Sequence, residues 1–62
     1  MRTLAYVYLD KCIVELVSSI EHTYTGYESA ADTKQAAAAL LNQGFRVLSA
    51  TDTFMLLEKS SR

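Results

Sequence analysis

Runs rich in apolar residues, separated by polar segments, predict strands near both ends of this chain. Residues 3–9 (TLAYVYL) are rich in β-branched and aromatic side chains, which favours a strand. Residues 45–50 and 53–59 have the same character on either side of the polar Thr51-Asp52 pair. Two such runs around a short polar turn predict a β-hairpin.

Between these strands, the pattern changes to one that favours a helix. Ser29 is a good N-cap residue, and Asp32 follows in the first turn, where a carboxylate is favourable. Residues 36–41 (AAAALL) have high helix propensity, and Gly44 stands where a glycine commonly ends a helix. We therefore expect a capped helix between Ser29 and Gly44.

Residues 12–20 (CIVELVSSI) fit two structures. As a helix, they place apolar side chains at i, i+3, i+4 and i+7 from Ile13, with Asp10 as the N-cap. As a strand, they follow a two-residue turn at Asp10 and Lys11. The β-branched content favours the strand, and the helix stays open. The polar residues 21–28 (EHTYTGYE) are then a loop or the end of a long second strand.

The elements together predict a fold of the α+β class in one domain, residues 1–62. The expected order is strand–strand–helix–strand–strand (ββαββ), with an antiparallel sheet in one layer and one helix packed on one face. If residues 12–20 are helical, the order becomes βαβαββ-like. The polar end, residues 60–62, is expected to fray.

The predicted strands are apolar on both of their faces, and one helix can cover only one face of a sheet. Successive side chains of a strand point to opposite sides, so a half-exposed sheet should alternate apolar and polar residues. We expect the uncovered face to be buried by a symmetric copy or by another protein. The alternatives are that the sheet curls around its own side chains, or that residues 12–20 form a second helix over part of this face. The candidate interface residues are Tyr6, Tyr8, Leu48, Met55 and Leu57, or the reciprocal set on the other face.

Size and charge narrow the possible partners. A chain of 62 residues buries a small core, and association would relieve that shortage. The formal net charge of −1 argues against nucleic acid or an anionic membrane as the partner. A lone cysteine, no apolar run long enough to span a bilayer and no signal-peptide pattern predict a cytoplasmic protein.

Few residues point to chemistry. Cys12 and His22 could form a nucleophile and base, but they carry no recognisable motif around them. Two glycines make no phosphate-binding loop, and we expect no catalytic residue, cofactor or metal. Glu15 is expected to pair with Lys11 or Arg46, or to lie at an interface rim. An enzyme or ligand-binding dimer with a site at the subunit seam is a minor alternative.

Tyrosines offer an alternative to a protein partner. Tyr6 and Tyr8 share a strand face, and aromatic pairs on sheets stack bases in several RNA-binding modules. A single-stranded nucleic-acid-binding protein is thus the second hypothesis. The basic residues of this chain are dispersed rather than interleaved with the rings. The favoured interpretation is therefore that the tyrosines lie in a core or a protein interface.

The layout of residues 24–59 is a strand, a capped alanine-containing helix, a glycine stop and a strand pair, and it resembles that of some small phage-encoded inhibitors. These include certain anti-CRISPR proteins and a short inhibitor of bacterial RNA polymerase. The apolar sheet face, the tyrosines and the lack of chemical motifs predict a non-enzymatic, homodimeric protein-interaction module, a small regulator or inhibitor. The resemblance implies that it is encoded by a phage or mobile element. It involves no diagnostic motif, and many such inhibitors are strongly acidic, whereas this chain is not.

Overall fold

The structure, a computed structural model, describes residues 1–60, in which five strands and one helix are found. The elements in chain order are β1 (Arg2–Tyr8), β2 (Ile13–Val17), β3 (His22–Gly26), α1 (Ala30–Asn42), β4 (Arg46–Ala50) and β5 (Phe54–Ser60). Fraying was expected for residues 60–62: Ser60 is instead the last residue of β5, opposite Arg2, and residues 61 and 62 lie outside the described residues.

All five strands form one antiparallel sheet in the order β3-β2-β1-β5-β4. The predicted α+β class with an antiparallel sheet is confirmed, but the ββαββ order is wrong because β3 is an additional strand. The helical alternative for residues 12–20 is also wrong, since Ile13–Val17 is β2. Residues 22–26 are neither a loop nor an extension of β2, because a turn at residues 18–21 reverses the chain.

The turn between β1 and β2 is longer than the two residues predicted. It takes in residues 9–12, and the backbone N–H of Lys11 donates to the carbonyl of Tyr8 at 3.3 Å. Cys12 ends the turn with a φ of 56°, in the left-handed region that non-glycine residues rarely occupy. Its conformation returns the chain to β2 in register, with Tyr8 opposite Ile13.

Both predicted caps of α1 are confirmed. The Ser29 hydroxyl accepts a hydrogen bond from the backbone N–H of Asp32 at 3.1 Å. At the other end Gly44 adopts a φ of 104°, and the N–H of Phe45 donates to the carbonyl of Leu40 at 3.1 Å. This is the Schellman arrangement, in which a left-handed glycine ends the helix and the next residue packs back against its last turn.

Helix α1 packs across β1 and β2 on one side of the sheet, which we call the covered face. Alternate residues of the strands point toward it, and its own buried positions are spaced at helical intervals. No residue of the resulting core is more than 8% exposed. The core consists of Ala5, Val7, Val14, Ala37, Leu40, Phe45 and Leu57.

Candidate protein-interaction face

The other side of the sheet, which we call the open face, has no helix over it. Its position follows from the register: Tyr6 is opposite Glu15 on β2 and Leu56 on β5, and these side chains point away from α1. Seven hydrophobic side chains form its apolar centre across β2, β1 and β5. They are Leu4, Tyr6, Tyr8, Ile13, Val17, Phe54 and Leu56, and each is only partly buried.

Aromatic rings hold the apolar centre together. The ring of Phe54 lies 5.4 Å from that of Tyr8 and 6.2 Å from that of Tyr6, measured between centroids, with tilted planes. Tilted pairs at these separations are favourable because the edge of one ring meets the face of the next. The three rings therefore form a preassembled surface, partly shielded from water by one another.

A carboxylate lies beside this surface, on the β2–β3 side. Glu15 contacts the imidazole Nε2 of His22, and its other oxygen is 3.5 Å from the Tyr8 hydroxyl. Burial, and then the negative charge of Glu15, raise the pKa of Tyr8. The charge of Glu15 is the leading cause of the raised pKa of Tyr24. Both phenols are protonated at neutral pH, as they would be at the ordinary value of 10.0, so each can donate a hydrogen bond.

A second charged group lies at the opposite corner. Glu58 is buried and accepts hydrogen bonds from Arg46, at 3.0 Å from Nη2, and from Nε of Arg2. The bonds from Arg46 are the leading cause of the lowered pKa of Glu58, against the opposing effect of burial. The predicted pairing of Glu15 with Lys11 or Arg46 is wrong: Arg46 is opposite Glu58, and Nζ of Lys11 lies 5.7 Å from the centroid of the Tyr8 ring. Glu15 contacts His22 instead, and its place at an interface rim stays a prediction.

The five candidate interface residues do not share one face. Tyr6 and Tyr8 lie on the open face, as a pair. Met55 and Leu57 lie on the covered face, and Leu57 is 0% exposed in the core. Leu48 lies where the β4–β5 register shifts, and it is 42% exposed. Which faces of two strands coincide depends on their register, and the spacing within one strand does not reveal it.

The candidate set omitted most of the apolar centre. Leu4 could have been included from the alternation within β1, since it is two residues from Tyr6. Phe54 and Leu56 belong to the reciprocal set on β5, which the register places beside the two tyrosines. Ile13 and Val17 follow once residues 13–17 are known to be a strand.

The structure does not bring together the residues considered for chemistry. Cys12 lies in the β1–β2 turn, with Sγ 3.9 Å from the carbonyl of Leu9, and His22 lies at the far end of the β2–β3 pair. Within residues 1–60, no pocket is formed, and no group of three His, Cys, Asp or Glu side chains could hold a metal ion. Helix α1 is too short to cross a membrane.

Comparison of the chain with protein-family models, with curated proteins and with solved structures finds no match.

Proposed function

We propose that this protein is a non-enzymatic protein-interaction module, a small regulator or inhibitor whose open face binds a partner protein. The observation that carries this proposal is the contiguous apolar centre across three strands, on the side of the sheet that α1 leaves uncovered. Apolar patches that stay partly exposed and are bordered by polar groups are typical of interaction sites. The layout resemblance to phage-encoded inhibitors supports the same class.

The charged groups at the two ends indicate what the partner should present. The side chains of Arg2 and Arg46 are 60% and 76% exposed, so their guanidinium groups can still donate outward from Glu58. A carboxylate of the partner would be favourable opposite the two arginines. A hydrogen-bond donor of the partner would be favourable opposite the carboxylate of Glu15. Between the two ends, apolar contact would supply the affinity, at about 25 cal/mol per Å² buried before the cost of association.

The test is capture of a partner with matched lysine variants. Leu56→Lys adds a charge to the apolar centre, and Leu41→Lys adds the same charge at an exposed position of α1. A partner isolated with the wild-type protein and then purified should bind Leu56→Lys at least about tenfold more weakly, because a lysine would be desolvated. It should bind Leu41→Lys as the wild type. Equal affinity for both variants, with both folded, would contradict the proposal.

A second candidate is binding of single-stranded nucleic acid. The observation that favours it is that Tyr6 and Tyr8 share the open face with Arg46. The carboxylates of Glu15 and Glu58 lie on the same face and would repel phosphates, so we prefer the protein partner. Anisotropy of a labelled oligonucleotide at low salt decides between them, because nucleic-acid binding would weaken steeply as salt is added.

The compartment is part of the proposal. The sequence holds a single cysteine, Cys12, and a thiol without a disulfide partner suits a reducing compartment. We therefore place the protein in the cytoplasm.

A further inference from the structure

The two edges of the sheet differ in how well they are protected from pairing with another strand. The edge strand β4 begins with Arg46 and is interrupted by a register shift between Val47 and Ser49. All five residues are exposed in both edge strands, but β3 pairs with β2 without a register shift. It contains no lysine, arginine or proline, which natural proteins use to blunt such edges. Edge β3 is therefore the one open to a further strand.

Backbone hydrogen bonds at the two ends of the β2–β3 pair show which groups of β3 face outward. The N–H of Ser18 donates to the carbonyl of Glu21 at 2.8 Å, and the N–H of Tyr27 donates to the carbonyl of Cys12 at 2.7 Å. In an antiparallel pair, bonded and non-bonded residue pairs alternate. Every second residue of β3 therefore directs its backbone N–H and carbonyl away from β2.

Three residues of β3 face outward, and they are arranged symmetrically. Counting from the two end bonds, Thr23 and Thr25 bond to β2, whereas His22, Tyr24 and Gly26 face outward. Outside the strand pairing, no turn, cap or side-chain hydrogen bond within residues 1–60 uses the backbone groups of these three. Tyr24 stands at the centre, with one outward residue on each side of it.

We propose that β3 pairs with β3 of a second copy of this chain, antiparallel, about a twofold axis at Tyr24. In this register Tyr24 is opposite Tyr24 of the second copy, and His22 is opposite Gly26 in both directions. Each of these three pairs exchanges two hydrogen bonds, so all the outward backbone groups of both strands are satisfied. Pairing of an exposed edge in this way is a recurrent mode of recognition.

The side chains fit the same register. The two Tyr24 rings, each 66% exposed in the single chain, meet beside each other, and His22 lies 5.0 Å from its own Tyr24 ring. Opposite His22 stands Gly26, which has no side chain to obstruct the imidazole. On the opposite face of the strand, Thr23 lies across from Thr25 of the second copy, and two threonines form a favourable cross-strand pair.

The result is one sheet of ten strands, five from each copy, with the two open faces side by side. This self-association uses the β3 edge and leaves the open face free, so it goes beyond the proposed function. It holds or fails whatever the open face binds.

Solution mass at several concentrations tests the pairing, with two variants at the central residue. Tyr24→Pro removes the outward N–H from both copies, and Tyr24→Thr keeps the N–H but loses the ring. The wild type should pass from one chain to two as concentration rises. Tyr24→Pro should raise the dissociation constant about thirtyfold or more, from two lost hydrogen bonds and the clash of the proline ring. Tyr24→Thr should raise it by less.

Amide hydrogen exchange of the wild-type protein gives an independent measurement that requires no variant. The amides of His22, Tyr24 and Gly26 should exchange rapidly in dilute solution and slowly when concentrated. Those of Thr23 and Thr25 should be protected at both concentrations. If the three outward amides exchange equally fast at every concentration, the inference is overturned, even where Tyr24→Pro fails to fold.

Leu56→Lys separates this inference from the proposed function. It should lose the partner protein and still form the dimer, because Leu56 is on β5, far from the β3 edge. A dimer that Leu56→Lys dissociates and Tyr24→Pro leaves intact would show that the copies associate through their open faces. That outcome would overturn the edge pairing.

Discussion

The same strands build two faces with different kinds of packing. On the covered face small and aliphatic residues are closed by α1, and the core residues are at most 8% exposed. On the open face three aromatic rings shield one another only partly, and a carboxylate with a cationic or imidazole partner lies at each of two corners. The difference shows that one short helix can complete a core on one side of a five-stranded sheet. The apolar side chains on the other side then stay available to contact a partner.

Two adjacent leucines on opposite faces give the most direct test of the difference in packing. Leu57→Ala should cost about 2–5 kcal/mol of unfolding free energy, because it leaves a cavity in a fully buried site. Leu56→Ala, on the partly exposed open face, should cost about 1 kcal/mol. Urea unfolding followed by circular dichroism measures both. Equal costs would mean that the open face is packed as tightly as the core.

A pair of neighbouring alanines separates helix propensity from packing on the covered face. Ala38 is exposed, so Ala38→Gly should cost about 1 kcal/mol through the helix alone. Ala37 is 4% exposed, and Ala37→Gly should cost roughly 0.8 kcal/mol more for the buried methyl group. Thermal unfolding of the two variants gives the difference. If Ala38→Gly proves the more harmful, α1 does not present the side described above to the sheet.

The smallest effect concerns acid and the corner of the open face around Glu58. Its pKa is lowered, so the folded protein binds this proton less tightly than the unfolded chain does. The stabilisation is complete above the ordinary value of 4.5 and is lost as the pH falls below it toward the folded-state pKa. The stability advantage of the wild type over Glu58→Gln should therefore shrink in acid. An advantage that persists unchanged in acid would show that the carboxylate charge contributes nothing.

Features governed by neighbouring residues were predicted well from the sequence. The N-cap at Ser29 and the stop at Gly44 depend on local backbone hydrogen bonds, and both are found as expected. The hairpin around Thr51 and Asp52 is also found, with the N–H of Thr51 donating to the carbonyl of Phe54 at 2.7 Å.

Features that depend on distant pairing were not predicted. Residues 22–26 contain Thr, Tyr and Thr, which favour a strand, but their polarity and Gly26 also suit a loop, and pairing with β2 decides between them. Missing β3 also hid the contact of Glu15 with His22. The interface set mixed two faces because the pairing of Ala5 with Leu57 joins residues far apart in sequence.

The central position of β1 has a consequence for synthesis on the ribosome. Its neighbour β2 follows directly, but its other neighbour is β5, so residues 9–53 must be added before that pairing can begin. At about 5–20 residues per second, β1 waits for seconds with one side unpaired. A stalled or prematurely terminated chain would expose this apolar middle strand, and we expect such fragments to aggregate or be degraded.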